Sequence, residues 1–166
     1  MEFSRRTAQL LHEDHQATMA VIESLEDMLA RAKRAVPDVN DPVTRKTLQQ
    51  AAEIIDQEIG SHFSFEETEL FPRLADYGDV GIGLHLTEEH RAMLPVAEQV
   101  AHIGREALEG AFTDQSWADF KSLAGELIER MLSHIQKEEM ALLPMLDELL
   151  DLETDMELAE AYSLNQ

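Results

Sequence analysis

Two stretches of this sequence carry histidine and acid in one repeated pattern. The first reads Leu11-His12-Glu13-Asp14-His15, then His62-Phe63-Ser64-Phe65-Glu66-Glu67, then Leu70-Phe71-Pro72-Arg73-Leu74. The second reads Leu86-Thr87-Glu88-Glu89-His90, then His134-Ile135-Gln136-Lys137-Glu138-Glu139, then Leu142-Leu143-Pro144-Met145-Leu146. As patterns these are L-x-E-[DE]-H and H-x3-E-E-x2-L-[FL]-P-x-L, each present twice and in the same order. Neutral imidazoles donate lone pairs to a cation, and carboxylates cancel its charge and can bridge two ions. The chain has no cysteine, so the donors are nitrogen and oxygen only. That set suits iron, manganese or zinc and excludes Cys-ligated zinc, Cys-ligated iron–sulfur clusters and thiol catalysis.

The elements that position these groups read as helices. Aromatic residues make up only 5% of the chain, and apolar positions recur at spacings of three and four. A first helix is expected from about Ser4 to Ala35, with Leu11, His15, Thr18, Ile22, Leu25 and Leu29 inward. Asp41 reads as an N-cap with Pro42 at the first helical position. The second helix carries Leu48, Ile55, Ile59, His62 and Glu66 on one face and ends near Pro72, before the Tyr77-Gly78-Asp79 turn. The third spans about Ile82 to Leu108, with Leu86, His90, Met93, Ala97 and Ala101 inward and a kink expected at Pro95. The fourth runs from near Ser116 to about Leu150, with Leu127, Met131, His134, Glu138 and Ala141 inward. A short acidic helix is expected from Thr154, its N-cap, to Ala161. The expected fold is therefore all-α, an up-down-up-down four-helix bundle over residues 1–150 with an acidic helical tail at 151–166.

Residues four apart on a helix differ by about 40° and about 6 Å. His62 and Glu66 thus share a face, as do His134 and Glu138. With His15 and His90, four imidazoles and two carboxylates converge on the core. Left without partners, each buried polar group would cost about 1–3 kcal/mol, and a pair of metal ions removes that cost. An isolated H-x3-E carries little weight: His85/Glu89 and His102/Glu106 show it too, and read as helix-surface pairs. The longer repeated frame carries the assignment.

That frame resembles the hemerythrin-like, or HHE cation-binding, family over about residues 7–150. The resemblance implies a non-heme di-iron centre inside a four-helix bundle. It places one iron on His15 and His62 and the other on His90 and His134, with Glu66 and Glu138 as bridging carboxylates. A purified sample could hold zinc or manganese instead. Oxygen-carrying hemerythrins usually have a further histidine four residues before that of the third helix; here Leu86 stands there. They also tend to place an aspartate five residues after the fourth-helix histidine, where this chain has Glu138 at four. A seventh ligand could come from Glu69, about 20° off the face of His62, from His12, about 60° from His15, or from His85, about 140° from His90 unless Gly81 and Gly83 distort the helix. Each reads first as a solvated or hydrogen-bonded polar residue.

Ferritin-type Glu-x-x-His is absent, and His12 to His15 is one residue too short for the zinc-protease motif. No phosphate loop or nucleophile-elbow serine occurs. The eight methionines read as core filler. The formal charge of −21, from 34 acids against 13 bases, argues against nucleic acid and anionic membrane surfaces and otherwise reads as solubility. No stretch approaches the ~20 apolar residues of a membrane span. The N-terminus has acid and histidine where a signal peptide has an apolar run. The expected location is cytoplasmic. No outer apolar stripe marks an oligomer interface.

The expected function is binding or sensing of oxygen, nitric oxide or peroxide at the metal pair. Alternatives are a di-iron peroxidase or oxidase and an iron-binding or iron-sensing module without catalysis. The walls of such a site would be Leu11, Ile22, Leu86, Met93, Leu127 and Met131. Tyr77 and Tyr162 lie outside the motif frame and offer no evident electron or proton route.

Overall fold

The computed structural model describes residues Glu2–Gln166, the side chain of Ile59 excepted, so the expected inward position of Ile59 lies outside the described residues. Helix α1 spans Arg6–Ala32, α2 Pro42–Gln57, α3 Phe71–Asp76, α4 Gly81–Glu109, α5 Asp114–Lys137, α6 Leu143–Leu149 and α7 Leu152–Leu164. No strand occurs among the described residues. α2 runs into α3 through two π-helical segments, Glu58–Phe63 and Glu66–Leu70. α5 runs into α6 through a third, Glu138–Leu142. The inter-helix packing pairs α1 with α2, α2 with α4, α4 with α5, and α1 with α5, α6 and α7. Among the described residues no helix is long and apolar enough to cross a membrane.

The start of α2 follows its sequence signals: the Asp41 carboxylate accepts from the Thr44 N–H, and Pro42 occupies the first turn. α5 starts two residues before Ser116, because Thr113 and Ser116 form a reciprocal capping box. α4 is uninterrupted through the exposed Pro95. The cap of α7 is Asp151; Thr154, the expected cap, is instead the N–H donor to its carboxylate.

The first turn of α1 has no side-chain cap of its own. Distant acids satisfy its free N–H groups. Asp147 accepts from Ser4 and Arg5, and Asp155 accepts from Arg6 and Thr7, each at 2.9 Å. Carboxylates at the positive end of a helix stabilise it. The acidity of the C-terminal stretch therefore includes a structural task beyond solubility.

The π segments change which residues face inward. Phe71 N–H bonds the Glu66 carbonyl, and Leu143 N–H bonds that of Glu138, each five residues back. Pro72 and Pro144 follow directly. A proline ring presses on the carbonyl four residues earlier, and a wider turn relieves the clash. The inward position then moves one residue along. Leu70 and Leu142 are fully buried, while Glu69 and Ala141, the positions an ideal helix would turn inward, are exposed. This corrects the inward placement of Ala141 and the near-face placement of Glu69.

The apolar core lies in two parts. One joins Ile22, Leu25, Met28, Phe63, Met93, Leu127 and Met131 with the Trp117–Phe120 end of the molecule. The other joins Leu11, Phe65, Leu70, Leu86 and Leu142 with Leu158 and Tyr162 of α7. Gly83 permits a close approach at the start of α4: a Cβ there would sit 3.0 Å from that of Phe71.

Candidate metal centre

His15, His62, Glu66, His90, His134 and Glu138 are all buried, the two glutamates at 0% exposure. They form two groups, His15 with His62 and Glu138, and Glu66 with His90 and His134. Within each, one donor atom per residue lies within 4.8 Å of the others. Each half of the repeat thus sends its carboxylate to the histidines of the other half. Glu138 Oε1 lies 3.0 Å from His15 Nε2 and 3.3 Å from His62 Nε2, and its Oε2 lies 3.6 Å from His134 Nε2. Glu66 Oε1 lies 3.2 Å from His90 Nε2, and its Oε2 3.5 Å from His62 Nε2. Both carboxylates therefore touch both groups.

Every Nε2 faces inward because every Nδ1 is held from outside by a carboxylate. His15 Nδ1 meets Glu139 at 2.8 Å, His62 meets Asp14 at 3.0 Å, His90 meets Glu67 at 2.8 Å and His134 meets Glu89 at 2.9 Å. An Nδ1–H donating to a carboxylate fixes the ring and leaves the Nε2 lone pair free for a cation. The four acids are chain neighbours of inner residues. Asp14 and Glu89 precede His15 and His90, and Glu67 and Glu139 follow Glu66 and Glu138. Sequence reasoning assigned them no role, although each occupies a repeated position of the two motifs.

Without a cation, neighbouring carboxylates favour the protonated form of His15, His62 and His90. Burial alone would lower the pKa of His15, but Glu138 and Glu139 outweigh it and push it up to about 9. His62 and His90 are raised in the same way, against burial, by Glu58 and Glu66 and by Glu66 and Glu67 respectively. Burial would raise Glu138, yet its contacts with Glu66, His15 and His62 and the charge of His134 hold it well below the ordinary carboxylate range. A metal ion must displace such protons to bind.

The donor set fits a cation by a second criterion. Both carboxylate oxygens of Glu66 and Oε2 of Glu138 are buried without a hydrogen-bond partner. Orphaned buried acceptors beside convergent imidazole nitrogens are what metal coordination satisfies. Residues 6–146 match the family model described as Hemerythrin HHE cation binding domain. The chain belongs to this hemerythrin family. No curated protein matches it.

In this hemerythrin chain the three further ligand candidates lie outside the two groups. Glu69 is exposed for the reason of register given above. His12 Nδ1–H donates to Glu139 at 2.8 Å and so braces the acid that holds His15. His85 is exposed, beside Lys137 and 3.5 Å from Glu89; Gly83 serves the contact with Phe71 and does not turn His85 inward. His102/Glu106 is a surface pair, as expected.

The structure adds groups with no motif signal. Glu58 is buried, accepts a 2.5 Å bond from Thr18 and lies 3.9 Å from His62 Nδ1; burial raises its pKa. Tyr162 O–H donates to Asp14 Oδ1 at 2.7 Å. Phe63 stacks on His90, with ring centroids 3.8 Å apart and planes 7° from parallel.

Proposed function

We propose that this chain is a non-heme di-iron protein that binds or senses a small ligand, oxygen, nitric oxide or peroxide, at a carboxylate-bridged metal pair. The observation that carries this is the reach of Glu66 and Glu138, each of which touches histidines of both groups. Bound iron, which would be held by His15, His62 and Glu138 and by Glu66, His90 and His134, would supply redox and ligand-binding chemistry. The chain itself fixes four imidazoles by outer carboxylates and keeps water from the site. The apolar residues expected as its walls are all buried, Leu11 and Leu86 in one core cluster and Ile22, Met93, Leu127 and Met131 in the other. The topology proposed with it is up-down-up-down. Asp14 meets His62 and Thr18 meets Glu58; Arg105 meets Asp56 and His90 meets Glu67; His134 meets Glu89 and Phe120 approaches Gly104. In each pair of helices one residue number rises as the other falls, which supports antiparallel neighbours. The surface acidity supports a protein that meets neither nucleic acid nor an anionic membrane surface, and the expected cytoplasmic location is proposed with it.

A di-iron peroxidase or oxidase is the second reading. The bonded line from His62 through Asp14 to Tyr162 favours it, because it offers a proton path from the site towards the last helix. Anaerobic loading with ferrous iron should give two ions per chain. Exposure to oxygen or nitric oxide should then change the visible absorption reversibly. Irreversible oxidation with peroxide consumption would favour the enzyme, and fewer than two ions per chain would end the di-iron proposal.

A further inference from the structure

The repeat sets two equivalent flanks on the molecule, and their cavities differ greatly in size. Between α4 and α5 a groove of about 510 Å³ passes Glu89, Met93, Arg130 and Ser133. The matching positions between α1 and the α2 side are Asp14, Thr18, Glu58 and Ser61. There the cavity is about 40 Å³, lined by His62 and, from just beyond α7, by Gln166. α7 is anchored across this flank. Asp155 accepts from the start of α1, the buried Tyr162 ring packs edge-on to Phe65 at 5.4 Å, and Asn165 Nδ2 donates to the Ser61 carbonyl.

The same asymmetry reaches the histidines. Asp14 and Glu89 are equivalent residues that hold His62 and His134. Glu89 is gripped by the exposed ammonium of Lys137, whereas Asp14 accepts a hydrogen bond from the Tyr162 phenol. An ammonium neutralises its carboxylate; a phenol orients one and leaves its charge in place. A carboxylate that keeps its charge makes its histidine the stronger donor to a metal.

We infer that α7 is a working part of the metal centre, with Tyr162 the positioning residue of His62. The two ion positions are consequently unequal. The His15/His62/Glu138 position, whose outer acid Asp14 keeps its charge, is the better held, and the Glu66/His90/His134 position, whose outer acid Glu89 is paired with Lys137, exchanges its ion first. This rests on the di-metal proposal, but one arm of its test needs no metal.

In the metal-free full-length protein, Tyr162→Phe should shift the nitrogen and proton resonances of the His62 ring and leave those of His134 in place. Lys137→Met, at an exposed side chain, should do the reverse. In the iron- or zinc-loaded protein, a chelator should remove two ions in two phases. Loss of one hydrogen bond in Tyr162→Phe should speed the slower phase about fivefold and leave the faster one unchanged. Unchanged His62 resonances in Tyr162→Phe, or equal acceleration of both phases, would overturn the assignment. Should Tyr162→Phe fail to fold, the Lys137→Met arm decides: a His62 shift equal to that of His134 would overturn it. Two ions absent from the wild-type chain would instead count against the di-metal proposal, and the metal-free arm would still stand.

Discussion

The two halves of the centre agree in their inner residues and differ in what stands behind them. His15, His62 and Glu66 match His90, His134 and Glu138, and Asp14 and Glu67 match Glu89 and Glu139. One turn away the match ends. Thr18 and the buried Glu58 occupy one half; buried Met93 and the exposed Arg130, paired with Glu126, occupy the other. Phe63 and Phe71, which flank His90, stand where the second half has Ile135 and Leu143. The first half also has the additional π segment at Glu58–Phe63. Ligation imposes a strict geometry and so fixes residue types, whereas the surroundings of each ion are free to differ and set its individual behaviour.

The largest effect should come from the residues the halves share. Glu138→Ala removes contacts to both groups and should lower iron stoichiometry from two to one or none, with affinity falling at least ~100-fold, measured by metal analysis after dialysis. A variant that kept two tightly held ions would break the view that each carboxylate serves both groups. Next come the outer acids. Asp14→Asn and Glu89→Gln should each weaken one ion position by about 10–100-fold and spare the other, seen as loss of a single step in a metal titration. Equal weakening of both steps by either variant would show that the halves do not act separately.

A pH series should follow. The pKa of His15 is raised to about 9 in the folded, metal-free protein, against an ordinary value of 6.5. The protonated ring therefore contributes stability that is complete below about pH 6.5 and is lost as the pH rises through about 9. The melting temperature of the metal-free protein should fall across that window, and metal affinity should rise across it as the competing proton leaves. A flat melting profile from pH 6 to 9 would contradict the protonated site. The smallest effect is expected at Glu69. Glu69→Gln should change neither metal content nor stability by more than about 0.5 kcal/mol, in contrast to a change at Glu66 three residues earlier. Loss of an ion in Glu69→Gln would return this residue to the ligand set.

Much of the centre was legible because a repeat tests itself: one H-x3-E is noise, but two, each preceded by L-x-E-[DE]-H in the same order, pointed to the six residues that the structure buries together. The outer acids were equally present in the motifs, and only the habit of reading charge as solvation hid them. The register of Glu69 and Ala141 was not readable from an ideal helical wheel, since the wheel assumes a constant turn. Pro72 and Pro144, at matching places, were the available sign that the turn widens. Glu58 and Tyr162 had no repeated partner. Their roles depend on contacts between segments 40 and 148 residues apart, and no local pattern encodes those.

The capping of α1 by Asp147 and Asp155 has a consequence for the order of events in time. The opening turn of the first helix is completed by side chains that follow it by 142 to 149 residues. As the chain emerges during synthesis, the leading N–H groups of α1 stay on water until Asp147 and Asp155 have been made. The step that closes it also brings Tyr162 onto Asp14, so completion of the fold and bracing of His62 coincide.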